Sequence, residues 1–324
     1  MNTALIILNY NNYEDTLNCL DSIDKYNTAP VKYIIVDNGS SRPNTVEALN
    51  VGLRNRYGDD YQLLKACDAQ PGNLSRVTLL DSGSNDGYAC GNNKGLTLAY
   101  QDDSIGYVMI LNNDVLFVED IIPPLIDKMN ELKDCAIISP VLYKKDLKGI
   151  DYNCARKEVT IKDFLRMNFL HYWYKARHKE INENRLLIKN RGVEIGKDVV
   201  AIELPSGSCM LTEKEFFREI GSFDPNTFLY YEEDILWQKI KKTGKRNYID
   251  TRCKCIHLGA QSTSSEPNMF LHKIGINSKK YYIKQYLKPS PMMYALYLLS
   301  ERFYTLSFRL QKGMGIKMSP SEEK

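Results

Sequence analysis

The stretch 107-YVMILNNDVLF-117 decides the fold class of this chain. Its apolar run, residues 108–111, has the length and composition of a buried strand. Asn112, Asn113 and Asp114 follow immediately, before apolar residues resume. Two amides and a carboxylate are costly to bury without partners. We therefore expect these side chains to lie at an edge of a sheet, where they hold a polar ligand.

Strand and helix patterns alternate on the N-terminal side of this stretch. Further strands are predicted at 4–8, in 31-VKYIIVDNGS-40 and in 76-RVTLLDSGSN-85, and helices at 13–26, at 43–56 and from 92-NNKGLTLAYQ-101. This alternation predicts an α/β fold whose parallel sheet has helices on both faces. Polar residues follow each strand, at the end where such sheets bind ligands.

The rest of the chain departs from this alternation. Residues 144–197 are basic and rich in aromatic residues, which predicts a surface helix or helical hairpin inserted into the main domain. The last sixty or so residues have helical patterns. We therefore predict a main domain over 1–265, with an insert at about 144–197, and a helical C-terminal extension over 266–324.

Composition excludes several classes of protein. Of the 324 residues, 43% are hydrophobic and 26% charged, which is inconsistent with wholesale disorder. A net charge of +3 is too small to predict nucleic-acid binding. The eight cysteines are irregularly spaced, which favours free thiols in a reducing cytoplasm. The first strand lacks the basic flank of a signal peptide, and no apolar run is long enough to predict a spanning helix.

Phosphate-binding loops are poorly matched, whereas acids at strand ends are conspicuous. Neither 83-GSNDGYACGNNKG-95 nor 192-GVEIGKD-198 has the glycine spacing of a dinucleotide-binding loop or a P-loop. Asp114 and His257 end predicted strands and, together with a diphosphate, would suit Mg²⁺. A turn or helix cap at Asp114, and a simple hydrogen-bonded histidine at His257, remain alternatives.

Six segments occur in an order that resembles a known family. They are ILNYNN, IIVDNGS, NDGYACGNNKG, LNND, SGSCMLTEKEFFREIGSFDPNTFLYYEED and HLGAQST. Over residues 3–265 the chain resembles glycosyltransferase family 2. The resemblance implies the GT-A fold, with a single Rossmann-like, mixed and mostly parallel sheet flanked by helices. Within that family it is most similar to the branch of bacterial rhamnosyltransferases and related cell-surface polysaccharide enzymes.

The resemblance implies a site for a nucleotide-sugar donor. The residues it assigns to the donor are Asn9, Tyr10, Asp37, Gly87, Asn92, Asn93 and Asn112. An Asx-turn with Ser40 is the alternative for Asp37. Asp114 and His257 would hold a divalent cation, Mg²⁺ or Mn²⁺, on the diphosphate. Since Asn112 replaces the first acid of the family's Asp-x-Asp motif, we expect low metal affinity without the nucleotide.

The resemblance also implies a general base among Glu232, Glu233 and Asp234. Counting back from Gly244 selects Glu233, whereas matching the letters of the Glu-Asp motif selects Asp234. We favour Glu233. The alternative is that the three acids are present because the helix dipole favours negative charge at a helix N-terminus. The resemblance places Ser206 and Gly207 on the acceptor side.

The implied activity is inverting transfer of a sugar from a UDP- or dTDP-sugar. The acceptor would be a hydroxyl of a glycan or lipid-linked intermediate in bacterial surface polysaccharide biosynthesis. A nucleotidyltransferase, and a non-catalytic glycan-binding protein on the same fold, are the alternatives.

The extension carries an apolar stripe and an excess of basic residues. The stripe comprises Met292, Leu296, Leu299, Phe303, Leu306 and Leu310. Ten basic residues stand against four acidic ones from residue 266 onward. This pattern is typical of a segment that lies on a membrane surface, which for a cytoplasmic protein would be the inner face of the plasma membrane. Packing on the main domain or forming a homodimer explains the stripe equally well.

Overall fold

The computed structural model describes residues 1–66, 74–176, 185–259 and 268–313. The strands are β1 (Asn2–Asn9), β2 (Val31–Asp37), β3 (Tyr61–Lys65), β4 (Val77–Asp81), β5 (Ile105–Asn112), β6 (Val115–Phe117), β7 (Cys135–Tyr143), β8 (Ala155–Arg156), β9 (Val199–Ile202), β10 (Leu204–Pro205), β11 (Cys209–Glu213) and β12 (Arg246–His257). The helices are α1 (Tyr13–Tyr26), α2 (Thr45–Tyr57), α3 (Gly87–Gln101), α4 (Ile122–Glu131), α5 (Ile161–Ala176), α6 (Leu187–Asn190), α7 (Lys214–Glu219), α8 (Glu232–Ile240), α9 (Asn268–Tyr282) and α10 (Pro291–Gly313), with a π-helical turn at Ile283–Leu287.

A mixed sheet runs through the protein in the order β3-β4-β2-β1-β5-β11-β7-β12-β6, with β9 also paired to β12. The five strands from β3 to β5 are parallel, and β11 enters antiparallel between β5 and β7. A separate two-stranded ribbon joins β8 of the insert to β10. The predicted α/β class and the mostly parallel sheet are confirmed.

Helices cover both faces of the sheet because its central strands are apolar on both sides. In β1, Leu5 and Ile7 belong to one core cluster, whereas Ala4 and Ile6 belong to another. The polar ends of β1, β2 and β5 share one edge, since Asn9 pairs with Asp37 and Leu8 with Asn112. This edge carries most of the predicted donor site.

A third core cluster lies outside the sheet. It is formed by Val159 and Phe164 of the insert, Ile235 of α8, and Tyr282, Ile283 and Tyr297 of the extension. The predicted boundary at 265 lies outside the described residues. On the extension side, helices α9 and α10 share this core with the insert and with α8.

Two local predictions were wrong. The third helix begins at Gly87 rather than near residue 92. Gly91 and Gly95 consequently lie inside that helix, against side chains of the sheet, and do not form turns. The edge strand β3, whose side chains are half-exposed or exposed, was not predicted.

Candidate active site

The ends of β1 and β2 are joined by a buried hydrogen-bond network. Asn9 donates to Asp37 at 2.7 Å, and the backbone N–H and hydroxyl of Ser40 donate to the two oxygens of Asp37 at 3.0 and 2.6 Å. Asn9 and Asp37 are fully buried. Asp37 therefore closes a turn with Ser40, as the alternative predicted, although the bond reaches three residues on rather than the two of an Asx-turn. A direct contact of Asp37 or Asn9 with the nucleotide stays a prediction. Tyr10 follows at the same edge and is half-buried.

Asn113 connects the end of β5 to the start of α1. Its amide donates to the carbonyl of Asn12 and to the hydroxyl of Thr16, both at 3.0 Å. No role could be given to Asn113 from the sequence. In the structure it holds the loop that positions its neighbours Asn112 and Asp114.

Asp114 lies beside His257, as the metal-site prediction requires. Asp114 Oδ1 is 3.4 Å from His257 Nε2, and Asp151 Oδ2 is 3.7 Å from His257 Nδ1. Burial alone would lower the pKa of His257, but hydrogen bonding to the two carboxylates outweighs it and raises the pKa to about 9. The imidazole is therefore protonated at pH 7 and screens the two acids from each other.

The chemistry of this pair suits a hard divalent cation that is shared with a phosphate. Asp114 is buried, and among the described residues its Oδ1 has no hydrogen bond of good geometry beyond the long 3.4 Å contact with His257 Nε2. Among those residues, no group of three or more His, Cys, Asp and Glu side chains could hold a metal. One carboxylate and one imidazole would need phosphate oxygens or water to complete the shell.

The glycine-rich segment packs against the loop that precedes α8. Gly87 has φ +85°, and a Cβ there would lie 2.1 Å from the carbonyl oxygen of Phe228. The adjacent N–H of Tyr88 donates to that oxygen at 2.8 Å. Asn93 bonds with the backbone of Phe223 in both directions, at 3.0 and 3.2 Å. The fully buried Asn92 donates to the carbonyl of Tyr88 at 2.9 Å.

The loop 206–208 connects the metal-side residues to the acids of α8. The carbonyl of Ser208 accepts from the N–H of Asn112 at 2.9 Å, and its hydroxyl lies 3.2 Å from His257 Nε2. The N–H of Gly207 donates to Glu233 Oε1 at 2.9 Å. A Cβ on Gly207 would lie 2.9 Å from that oxygen, so only glycine allows this approach. Ser206 accepts from the N–H of Ser208 at 3.2 Å.

The three acids of α8 have different environments. Glu232 is buried, and burial, with the neighbouring charge of Glu233, raises its pKa to about 8. Asp234 is also buried, and burial raises its pKa against the opposing effect of two arginines. The Glu233 side chain is 19% exposed. Of the three, Glu233 is therefore the acid best placed to meet a substrate.

Two arginines of the insert reach these acids and were not predicted. Arg156 Nη2 lies 3.6 Å from Glu233 Oε1, and Arg185 Nη2 lies 3.9 Å from Asp234 Oδ1. The ribbon of β8 and β10 brings Arg156 next to the loop that carries Gly207. No sequence motif marks these arginines, because they reach the site through an insert whose pairing is not visible in the sequence.

Comparison with known proteins decides the family. The sequence model of "Glycosyl transferase family 2" matches residues 4–186, which is more than half of the chain. The chain belongs to glycosyl transferase family 2. The predicted family is therefore confirmed, and glycosyltransferase activity, which the sequence also predicted, is supported by the family model.

Two characterised relatives are similar to this family 2 protein. The low-salt glycan biosynthesis hexosyltransferase Agl10 of Haloferax volcanii is 24% identical over 231 residues, which cover 71% of this chain and 58% of the relative. The N-acetylglucosaminyl-diphospho-decaprenol L-rhamnosyltransferase of Mycobacterium tuberculosis is 23% identical over 258 residues, 76% of this chain and 73% of the relative. The second relative belongs to the branch that the motifs resemble.

Solved structures of GT-A glycosyltransferases share the fold. GalNAc-T7 with UDP, GalNAc and Mn²⁺ has a TM-score of 0.55 at 13% identity, covering 79% of this chain and 44% of that protein. The mannosyltransferase PcManGT of Pyrobaculum calidifontis, with GDP-Man and Mn²⁺, has a TM-score of 0.54 at 13% identity. That match covers 99% of this chain and 77% of the mannosyltransferase. The predicted GT-A fold is confirmed.

Proposed function

We propose that the protein is an inverting glycosyltransferase. It moves a sugar from a UDP- or dTDP-sugar to a hydroxyl of a glycan or lipid-linked acceptor in surface polysaccharide biosynthesis. The observation that carries this proposal is the loop 206–208, which bonds at one end to Glu233 and at the other to Asn112 and His257. It thus links the candidate base with the side where the diphosphate would lie.

The proposed step is a single displacement at the anomeric carbon. Glu233 accepts the proton of the acceptor hydroxyl as that oxygen bonds to the anomeric carbon. The bond from this carbon to the diphosphate oxygen breaks, and the nucleoside diphosphate leaves with the electron pair. Attack from the opposite face inverts the configuration. The Gly207 N–H restrains Glu233 Oε1, so the carboxylate is oriented before the acceptor binds.

Asp114 and His257 would hold a divalent cation in the proposed enzyme. When bound, the cation supplies Lewis-acid stabilisation of the negative charge on the leaving diphosphate. Asp151 keeps the His257 ring oriented from its other nitrogen. Asn112 contributes no charge. Its half-buried amide donates to the Ser208 hydroxyl at 3.3 Å and would bond a donor hydroxyl through its remaining N–H or its oxygen.

The named relatives support the donor and acceptor classes. One acts, by its name, as a rhamnosyltransferase on N-acetylglucosaminyl-diphospho-decaprenol, which is a lipid-linked acceptor. The two structures of similar fold hold UDP or GDP-Man together with Mn²⁺. We extend to this chain the general classes only, a nucleotide-activated sugar as donor and a lipid-linked glycan as acceptor.

The two alternatives fit the residues less well. A nucleotidyltransferase usually has a glycine-rich loop with Lys or Arg after the first strand, whereas this chain has 9-NYNNYED-15 there. A non-catalytic glycan-binding protein would not need a partly exposed acid, Glu233, that is restrained by Gly207 and lies beside Arg156.

Calorimetry with a panel of nucleotide sugars in the presence of Mn²⁺ tests the proposal. We expect one nucleotide class to bind in the micromolar range with Mn²⁺ and much more weakly with EDTA. Absence of binding by every nucleotide sugar would contradict the proposal.

Metal-dependent donor binding should strengthen as the pH rises. A metal ligates the neutral imidazole, but the pKa of His257, about 9, keeps it protonated at pH 7. Binding then releases one proton, so the apparent affinity for the metal–nucleotide should rise up to about tenfold per pH unit and level off above pH 9. Calorimetry between pH 6.5 and 9.5 in buffers of different ionisation enthalpy measures both effects. A flat profile without proton release would exclude His257 as a ligand.

We also propose that the extension rests on the inner surface of the plasma membrane. None of the described helices is long and apolar enough to span a membrane. Yet α10 exposes a row of large apolar side chains, namely Met292 (79%), Leu296 (41%), Leu299 (60%), Phe303 (47%) and Leu306 (60%). Phe169 of α5, also 40% exposed, contacts Phe303 and extends this surface. Basic side chains that would favour anionic lipid are exposed on the extension at Lys273, Lys280, Lys284, Lys288 and Arg302.

Vesicle flotation with the full chain tests this contact. The protein should float with vesicles of 30% anionic lipid and much less with neutral ones. Leu299→Ser with Phe303→Ser should weaken binding at least about tenfold, because two large apolar groups no longer enter the interface. Val51→Ser, at an exposed apolar residue of α2, is the matched control. If the wild type instead sediments as a dimer that the double substitution dissociates, the stripe is a homodimer contact.

A further inference from the structure

The backbone directly before the catalytic acids is strained. Tyr230 and Tyr231 both have left-handed conformations, with φ of +77° and +72°. A non-glycine residue in this conformation is strained and persists only where its surroundings hold it. Because Tyr231 precedes the first residue of α8, relaxation of this pair would turn the start of the helix that carries Glu233.

The C-terminal extension supplies contacts that hold this strained pair. The ring of Tyr282 is fully buried and stacks on Tyr231, with centroids 5.6 Å apart and planes at 21°. From the same helix, the Ser278 hydroxyl donates to the carbonyl of Leu229 at 2.8 Å. Helix α9 therefore contacts this loop at Leu229, just before the strained pair, and at Tyr231, the second residue of the pair.

Tyr282 also contacts the other elements that surround the acids. Its hydroxyl accepts from Gln238 of α8 at 3.2 Å and lies 3.3 Å from the carbonyl oxygen of Val159, to which it donates. The backbone of Val159 in turn hydrogen-bonds Asp234. One side chain of the extension thus touches the strained loop, the catalytic helix and the insert.

We propose that Tyr282 is a positioning residue of sugar transfer: it stabilises the left-handed Tyr230–Tyr231 pair and so keeps Glu233 directed at the acceptor. The inference rests on the proposed function, since it assigns to the extension control over the proposed base. We therefore expect the extension to affect the chemical step rather than donor binding, because the extension contacts the loop before α8 and helix α8 itself.

Steady-state kinetics of the full chain test this role. Tyr282→Leu should lower kcat about 10- to 100-fold, since a displacement of about 1 Å at a reacting group has effects of that size. The donor Kd should stay within about twofold of the wild type. Tyr282→Phe, which keeps the stack, should restore most of kcat. Tyr230→Gly added to Tyr282→Leu should recover at least about fivefold, because glycine adopts positive φ without strain.

Two further measurements distinguish a loss of positioning from a general folding defect. Hydrogen exchange in the peptide that covers 228–236 should become faster in Tyr282→Leu than in the wild type. Ser278→Ala, which removes one hydrogen bond and leaves the stack, should lower kcat about threefold with Kd unchanged.

Wild-type kcat in Tyr282→Leu, or a loss of donor affinity as large as the loss of kcat, would overturn the inference. Failure of Tyr230→Gly to rescue kcat would do the same. A wild-type chain that binds and consumes no donor would instead contradict the proposed function.

Discussion

Glu233→Gln should lower the rate of sugar transfer about a thousandfold and leave donor affinity within about twofold of the wild type. A general base contributes on the order of 10²–10⁴ to a rate, and glutamine retains the size of glutamate without its basicity. The amide can still accept the hydrogen bond from Gly207, so the loop 206–208 should keep its position. Transfer rates at saturating donor, with the donor Kd from calorimetry, measure the two effects separately.

Substitution of the next acid distinguishes the two assignments of the base. Asp234 is buried, paired with Arg185 and bonded to the backbone of Val159. We therefore expect Asp234→Asn to reduce stability more than it reduces transfer. Glu215→Gln, at a surface acid of α7, is the control for loss of a charge. If Asp234→Asn stops transfer while Glu233→Gln does not, Asp234 is the base.

Asp114→Ala should abolish the dependence of donor binding on metal. The carboxylate is the negatively charged member of the proposed ligand pair, and His257 alone is a poor ligand for a hard cation. We expect the Mn²⁺-dependent gain in nucleotide affinity to fall at least about a hundredfold, and residual binding to be the same with Mn²⁺ and with EDTA. Calorimetry with and without metal measures the gain directly.

Asp151→Asn provides a graded comparison for this prediction. Asp151 lies 3.7 Å from Nδ1 of His257, the nitrogen that faces away from Asp114, and would orient the ring without binding the metal. Its loss should therefore lower metal affinity about tenfold, as is usual for residues that orient a metal ligand. Full Mn²⁺ dependence in Asp114→Ala would exclude Asp114 from the metal site.

The donor edge of the fold could be predicted from sequence because it is built locally. Apolar runs that end in Asn9, Asp37 and Asn112 are strands with polar ends, and parallel pairing aligns those ends. The position of His257 at the end of β12 was predicted on the same basis. Its pairing with Asp114 was predicted because a hard divalent cation on a diphosphate needs few protein ligands, and the family resemblance assigned the same pair.

The acceptor side could not be predicted in the same detail because it depends on distant contacts. Arg156 and Glu233 are brought together by the two-residue ribbon of β8 and β10, whose strands are too short to leave a periodic pattern. The contact of Tyr282 with Tyr231 joins parts of the chain whose sequences predict only helices. Gly91 lies inside α3, where a Cβ would come within 2.6 Å of the Leu8 side chain, and the sequence alone does not show this close packing of the helix on the sheet.

The most direct test of the account is the release of nucleoside diphosphate from a panel of nucleotide sugars. The full chain is incubated with Mn²⁺, with and without a lipid-linked glycan acceptor. We predict that one donor is consumed, that acceptor accelerates its consumption, and that the new linkage has the inverted anomeric configuration. If no donor is consumed, while a nucleoside triphosphate and a sugar 1-phosphate yield pyrophosphate, the protein is a nucleotidyltransferase and the account is wrong.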